Sequence, residues 1–218
     1  MIIYVNAVQK GKDMSDNEKS KEHIIEITTE LLREHNGDTA KITSRLIAER
    51  AGIGLGSVNY FFGSKEKLIA ECVQRSINKM LMGFAPEIAD FGEDDGLTDE
   101  TRLISWARQT FDFLFDNQAI SNISILSDMQ NYLADSNSVY TQKGFAYAMR
   151  SGQYEESGKL LTFILVSAMQ TAFLAKDIAK DILGYDLYSK VERDLFISDT
   201  VGMLLHGTKR GEEAADEM

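Results

Sequence analysis

Between Thr43 and Lys65 the chain gathers residues suited to holding a polyanion against a flat surface. Asn59 and Tyr60 supply donors and acceptors for phosphate oxygens or base edges. Gly56 and Ser57 are small enough to let backbone approach a groove wall, and Lys65 adds a positive charge where a helix start already favours an anion. Leu55, Ser57, Asn59, Tyr60 and Phe61 fall on the side of a short helix opposite Val58 and Phe62, which are four residues apart and face inward. Phe61 has two options, outward beside Tyr60 or inward beside Phe62.

Two short helices must position these groups. Thr43 is an N-cap for a helix to Ala51 that turns Leu46, Ile47 and Ala51 inward, and Gly52 is the left-handed residue that stops it. Gly52-Ile53-Gly54 then sets a second helix, about 55–61, across the first. Before them, Ile24, Ile27 and Leu31 mark a helix over 19–35 with Ser20 as its cap. After them, Ser64-Lys65-Glu66-Lys67 opens a long helix with Leu68, Ile69, Val73, Ile77 and Leu81 on its apolar side, ended or kinked at Pro86.

This threonine-capped helix, Ala-Gly turn, Gly-Ser recognition helix ending in aromatics and Ser-Lys-Glu sequel resembles the DNA-binding region of the tetracycline-repressor (TetR) family over residues about 20–72. The resemblance implies an all-α protein with an N-terminal helix-turn-helix domain and a C-terminal helical ligand-binding and dimerisation domain. It also implies Thr43 as cap and phosphate contact, Arg45 and Ser57 as groove contacts, Asn59 and Tyr60 as backbone or base contacts, and Lys65 as phosphate contact. The DNA-contact set is thus Thr43, Ser44, Arg45, Leu55, Gly56, Ser57, Asn59, Tyr60, Phe61 and Lys65. Leu55 and Phe61 depart from the family pattern, each removing a polar contact, unless the basic run Lys10 to Lys21 compensates. With about one unit of salt slope per phosphate charge, binding titrated against salt is expected to be less salt-sensitive than in more basic relatives; a steep slope contradicts this.

Charge restricts where a polyanion can sit. Residues 1–80 carry 12 Lys/Arg against 11 Asp/Glu, net +1, whereas residues 81–218 carry 11 against 23, net −12. The N-terminal third alone suits phosphate, with Glu22, Glu26, Glu30 and Glu34 on a solvated helix face pointing away from it. Apolar residues at 44%, charged residues at 26% and a single proline in 218 residues fit a globular, helical chain. One cysteine, Cys72, forms no intrachain disulfide or multi-thiolate zinc site, and suits a small buried residue in a cytoplasmic protein. The run Met1 to Val8 lacks a basic segment before its apolar stretch, so either Met1 or Met14 serves as the start rather than a signal peptide. The longest charge-free run, 160–175, is too short to cross a membrane.

No catalytic residues are expected. His23, His35 and His206 lack the spacing of metal ligands, and Asp94-Asp95 and Glu155-Glu156 lie in glycine-flanked loops. No metal, cofactor or enzymatic activity is expected.

The rest of the chain reads as helices at roughly 99–117, 119–135, 137–151, 157–183 and 188–207. The helix from Leu160 to Leu183 is apolar nearly all round and must be covered on several sides. Leu161, Leu165, Ala168 and Ala172, with Leu195, Val201 and Leu205 of the last helix, are candidates for a four-helix homodimer interface, the alternative being a purely intrachain core. Trp106, Phe113, Met129, Tyr132, Phe145 and Met149 form a candidate pocket for a small, largely apolar effector, with Asn122 and Gln130 to orient it. The expected organisation is an arm (1–18), a helix-turn-helix domain (19–72), a regulatory and dimerisation domain (73–210) and a disordered tail (211–218). The resemblance implies a regulator of transcription, a repressor that leaves a palindromic duplex operator when its effector binds. The alternative is a scaffold of the same type that binds DNA or protein without a metabolite switch.

Overall fold

Ten helices and no strand make up the described residues of the computed structural model, which are 15–89 (backbone only for 80–89), 96–149 and 158–207. The expected arm, the acidic segment 92–95, Glu155-Glu156 and the tail 211–218 lie outside them, apart from residues 15–18. The chain divides into two compact units, Met1–Arg75 and Ser76–Met218.

In the first unit, α1 (Asp16–Glu34) starts earlier than the sequence suggests. Ser15 and Glu18 form a reciprocal capping box that satisfies two free N–H groups. Ser20, expected as the cap, instead donates to the Asp16 carbonyl. Residues 16–18, expected in an arm, are therefore the first helical turn. α2 (Ser44–Ala51), α3 (Ser57–Phe62) and the start of α4 (Lys65–Ala89) complete the unit. Its core contains Ile24, Leu31, Leu32, Ile42, Ile47, Val58, Leu68 and Cys72, all without solvent exposure. α4 continues through Pro86 to Ala89. Proline's fixed φ is compatible with a helix, although it lacks the N–H for one helical hydrogen bond.

Cys72 donates its thiol hydrogen to the Ile25 carbonyl at 3.6 Å. Burial, the largest influence, pushes the thiol from about 9 up to about 11. Because the folded value lies above the unfolded one, this stabilising contribution is complete below pH 9 and disappears as pH climbs through 11. Denaturant titrations across that window should show the wild type losing about 2–3 kcal/mol more than Cys72→Ala; parallel losses would refute the assignment.

The second unit contains α5 (Asp99–Asp116), α6 (Gln118–Gln130), α7 (Asn137–Ala148), α8 (Gly158–Leu174), α9 (Ala179–Leu183) and α10 (Lys190–His206). α5 packs chiefly on α10, and α7 on α8. Leu103, Ala107, Phe111, Leu165, Phe173, Leu187, Ile197 and Val201 are fully buried at the centre. Arg193 crosses the edge of this core, stacked over the Phe115 ring at 4.7 Å and paired with Asp112 at 2.9 Å.

Two boundaries differ from expectation. The single helix expected over 157–183 breaks after Leu174, where bonds from Lys176 to Phe173 and from Ile178 to Ala175 tighten the chain and Ala179 is drawn into the core. The helix expected over 119–135 stops at Gln130. The Ser136 hydroxyl accepts from Leu133 N at 3.0 Å, a side-chain bond that competes with further helix.

Candidate nucleic-acid interface

Thr43 turns the chain into α2 by accepting from Leu46 N at 3.1 Å. At the other end Gly52 stands at φ 65°, and two bonds close the helix: Gly52 N to Glu49 O at 3.2 Å and Ile53 N to Ala48 O at 3.0 Å. This paired closure needs a residue at positive φ, and glycine accepts it without a Cβ penalty. The turn Gly54 to Ser57, closed at 2.9 Å, delivers the chain into α3. A further contact fixes the corner, from His23 Nε2 to the Ala51 carbonyl at 3.3 Å.

α3 begins two residues later than expected, so Leu55 and Gly56 form the approach to the helix rather than its first turn. Val58 is fully buried, whereas Tyr60 is 76% and Leu55 60% exposed. Asn59 and Gly56 are also exposed, and Ser57 and Phe61 are half-buried. Phe61 meets Tyr60 edge to face at 4.9 Å and Phe62 at 6.4 Å, taking a position between the two alternatives. Lys21 of α1 sits 5.7 Å from the Phe62 ring centroid, anchoring the inward side of α3.

The basic side chains divide by partner. Arg50 forms a two-point pair with Glu34 at 3.0 and 2.9 Å, Arg75 is held by Glu22 and Glu71, and Lys41 pairs with Asp38. The Arg50 guanidinium holds the Glu34 carboxyl below its ordinary value, as Lys41 does that of Asp38. Arg45 is exposed at the start of α2 and has no carboxylate within salt-bridge distance among the described residues. Thr43 is exposed and Ser44 half-buried beside it. Lys65 departs from its expected role: it is 23% exposed, and its ammonium donates to the Thr39 carbonyl at 3.0 Å. It ties α4 to the loop before α2, which leaves less of it available to a phosphate.

Residues 24–72 match the family described as bacterial regulatory proteins, tetR family. In this unit the chain is therefore similar to the DNA-binding region of the tetR family. Two solved structures share its fold: a TetR-like transcriptional regulator from Rhodococcus sp. RHA1, at TM-score 0.61 and 16% identity over 87% of this chain and 97% of that one, and a TetR transcriptional regulator from the same organism, at TM-score 0.53 and 17% identity over 89% and 100%. Among curated proteins no relative matches. Among the described residues the tetR-type region is followed by further helices and no strand. No helix among the described residues is long and apolar enough to cross a membrane.

The other two residue sets require correction. The interface set is largely internal: Leu161, Leu165, Ala172 and Val201 are at most 7% exposed and belong to the unit's own core. Ala168 and Leu205 are half-buried, and Leu195 alone of the set is 50% exposed. The exposed apolar row lies beside it, with Leu160, Phe163 and Ile164 on α8 and Val191, Leu195 and Met203 on α10. A helix apolar all round gives no phase from which to choose the outward row. The pocket set also separates. Phe145 is core, Trp106 and Met149 pack against that core, and Phe113 is half-buried. Met129 and Tyr132 stand at the surface, 46% and 48% exposed. Ser121, Ser124, Ile125 and Asp128 take the inward face of α6, and Tyr132 lies beyond the helix end.

Proposed function

We propose that the chain acts in the cytoplasm as a homodimeric, sequence-specific DNA-binding repressor, released from a palindromic operator by a small, largely apolar ligand. One observation carries the reading: α3 is pinned by a fully buried Val58 while Tyr60 and Asn59 face solvent. A six-residue helix reads too few bases alone, and two copies about 34–36 Å apart read two half-sites. The exposed row on α8 and α10, two helices packed on each other, supports dimerisation, since monomers rarely leave such surfaces uncovered. Release by a ligand requires unequal affinity for two conformations of the dimer.

Electrophoretic retardation of a duplex from the chain's own upstream region, with and without apolar compounds, tests both parts. Retardation by a dimer, relieved by one compound, supports the reading; a monomer, or no retained duplex, defeats it. The surface positions of Met129 and Tyr132 favour the second reading, a DNA- or protein-binding scaffold without a metabolite switch. Retardation that no compound relieves would select it.

A further inference from the structure

On the second unit, α5 and α10 flank a groove of about 470 Å³ whose walls include Thr101, Ile104, Ser105, Arg108, Asp112 and Lys190. This volume suits a small organic molecule. The charges along it are unequally paired. Asp112 is held by Lys190 and by Arg193 at 2.9 Å, and Asp194 lies 3.4 Å from Lys190. Arg108 has neutral partners instead: its Nε–H donates to the Asp194 carbonyl at 3.3 Å and its Nη2–H to the Ser198 hydroxyl at 2.6 Å. No carboxylate reaches it within salt-bridge distance among the described residues, and its Nη1 donors have no acceptor there. Two cations, Arg108 and Lys190, and two acids, Asp112 and Asp194, line the groove, and the buried Arg193 behind Asp112 adds a third cation, in a region whose sequence totals −12 over residues 81–218.

Arg108 is half-buried and meets only neutral acceptors among the described residues, and its planar fork matches a carboxylate at two points. We propose that this groove binds a small organic monocarboxylate, its carboxylate on the Nη1 side of Arg108 and its apolar body along Ile104. Asp112 and Asp194 line the same groove, so a dianion such as phosphate is repelled where a single negative charge balances the site. The groove is separate from the aromatic set around Phe145, and the proposal stands whether or not the first unit binds DNA.

The test titrates the 15N-labelled full chain with hexanoate, hexanamide and inorganic phosphate, following backbone amides by NMR. The expected result is a saturable hexanoate response confined to about residues 101–112 and 190–198, with hexanamide and phosphate weaker by roughly tenfold or more, the loss of one charge-assisted contact. Arg108→Gln should weaken hexanoate by a similar factor, and Arg108→Lys, which keeps the charge, by less. An equal response to hexanamide or phosphate, a response elsewhere, no response, or one unchanged in a folded Arg108→Gln protein overturns the proposal. Should Arg108→Gln fail to fold, the wild-type contrast between hexanoate and hexanamide decides alone.

Discussion

Replacing Asn59 and Tyr60 together by alanine is expected to weaken binding to the cognate duplex by roughly a thousandfold or more while leaving the fold intact. Each side chain that contacts DNA contributes about 1–3 kcal/mol. A dimer presents both in duplicate, so even the lower figure reaches about 4 kcal/mol, or about three decades of affinity. The fold should survive because neither side chain holds it: Tyr60 is 76% exposed and Asn59 is exposed, whereas Val58 between α3 and the core has no exposure at all. Surface changes of this kind usually move stability within about 0.5 kcal/mol. Fluorescence anisotropy with a labelled duplex gives the affinity, and a thermal melt gives the control. Wild-type affinity in the folded double variant would remove α3 from the interface. Arg45→Gln supplies a contrast, since an exposed charge on phosphate lowers affinity for all sequences alike and reduces the salt slope by about one unit per copy.

The contrast between α3 and α8 shows what a sequence conveys about such a molecule. The corner around Gly52 was legible because its determinants are local. Thr43 caps a bond three residues away, Gly52 closes two bonds across one turn, and Val58 and Phe62 mark a phase that polar neighbours make unambiguous. The outward row of α8 was illegible for the opposite reason. Leu160, Phe163 and Ile164 differ from Leu161, Leu165 and Val166 in exposure but not in chemistry, and hydrophobic periodicity cannot choose between equally apolar faces. Tyr132 was misread through a boundary, because a serine hydroxyl bond rather than a glycine or proline ends the preceding segment. Arg108 illustrates a third limit. Its partners on α10 lie 86 and 90 residues away, so which charges remain uncompensated depends on tertiary packing, and no local spacing rule reports it.

The second large effect is expected in the second unit, where Phe111→Ala should cost about 3–5 kcal/mol. Phe111 is wholly buried on α5 and packs against Phe115 edge to face at 5.2 Å and against Phe196 of α10 at 5.5 Å. Phe115 in turn meets Phe173 of α8 at 5.3 Å and lies under the Arg193 guanidinium at 4.7 Å. Removing the first ring therefore opens a cavity where α5 meets α10, in a row that also supports a buried cation, and interiors packed at this density relax only partly into such a void. Phe111→Leu keeps most of the volume and should lose less, about 1–2 kcal/mol. Denaturant unfolding of the full chain, followed by far-ultraviolet circular dichroism, would show an early transition from this unit in the alanine variant. The first unit shares none of these contacts and has its own core around Ile24, Leu31 and Leu68, so the stability of its helix-turn-helix should change little. A loss below about 1 kcal/mol for Phe111→Ala would mean that the aromatic row does not hold α5 to α10.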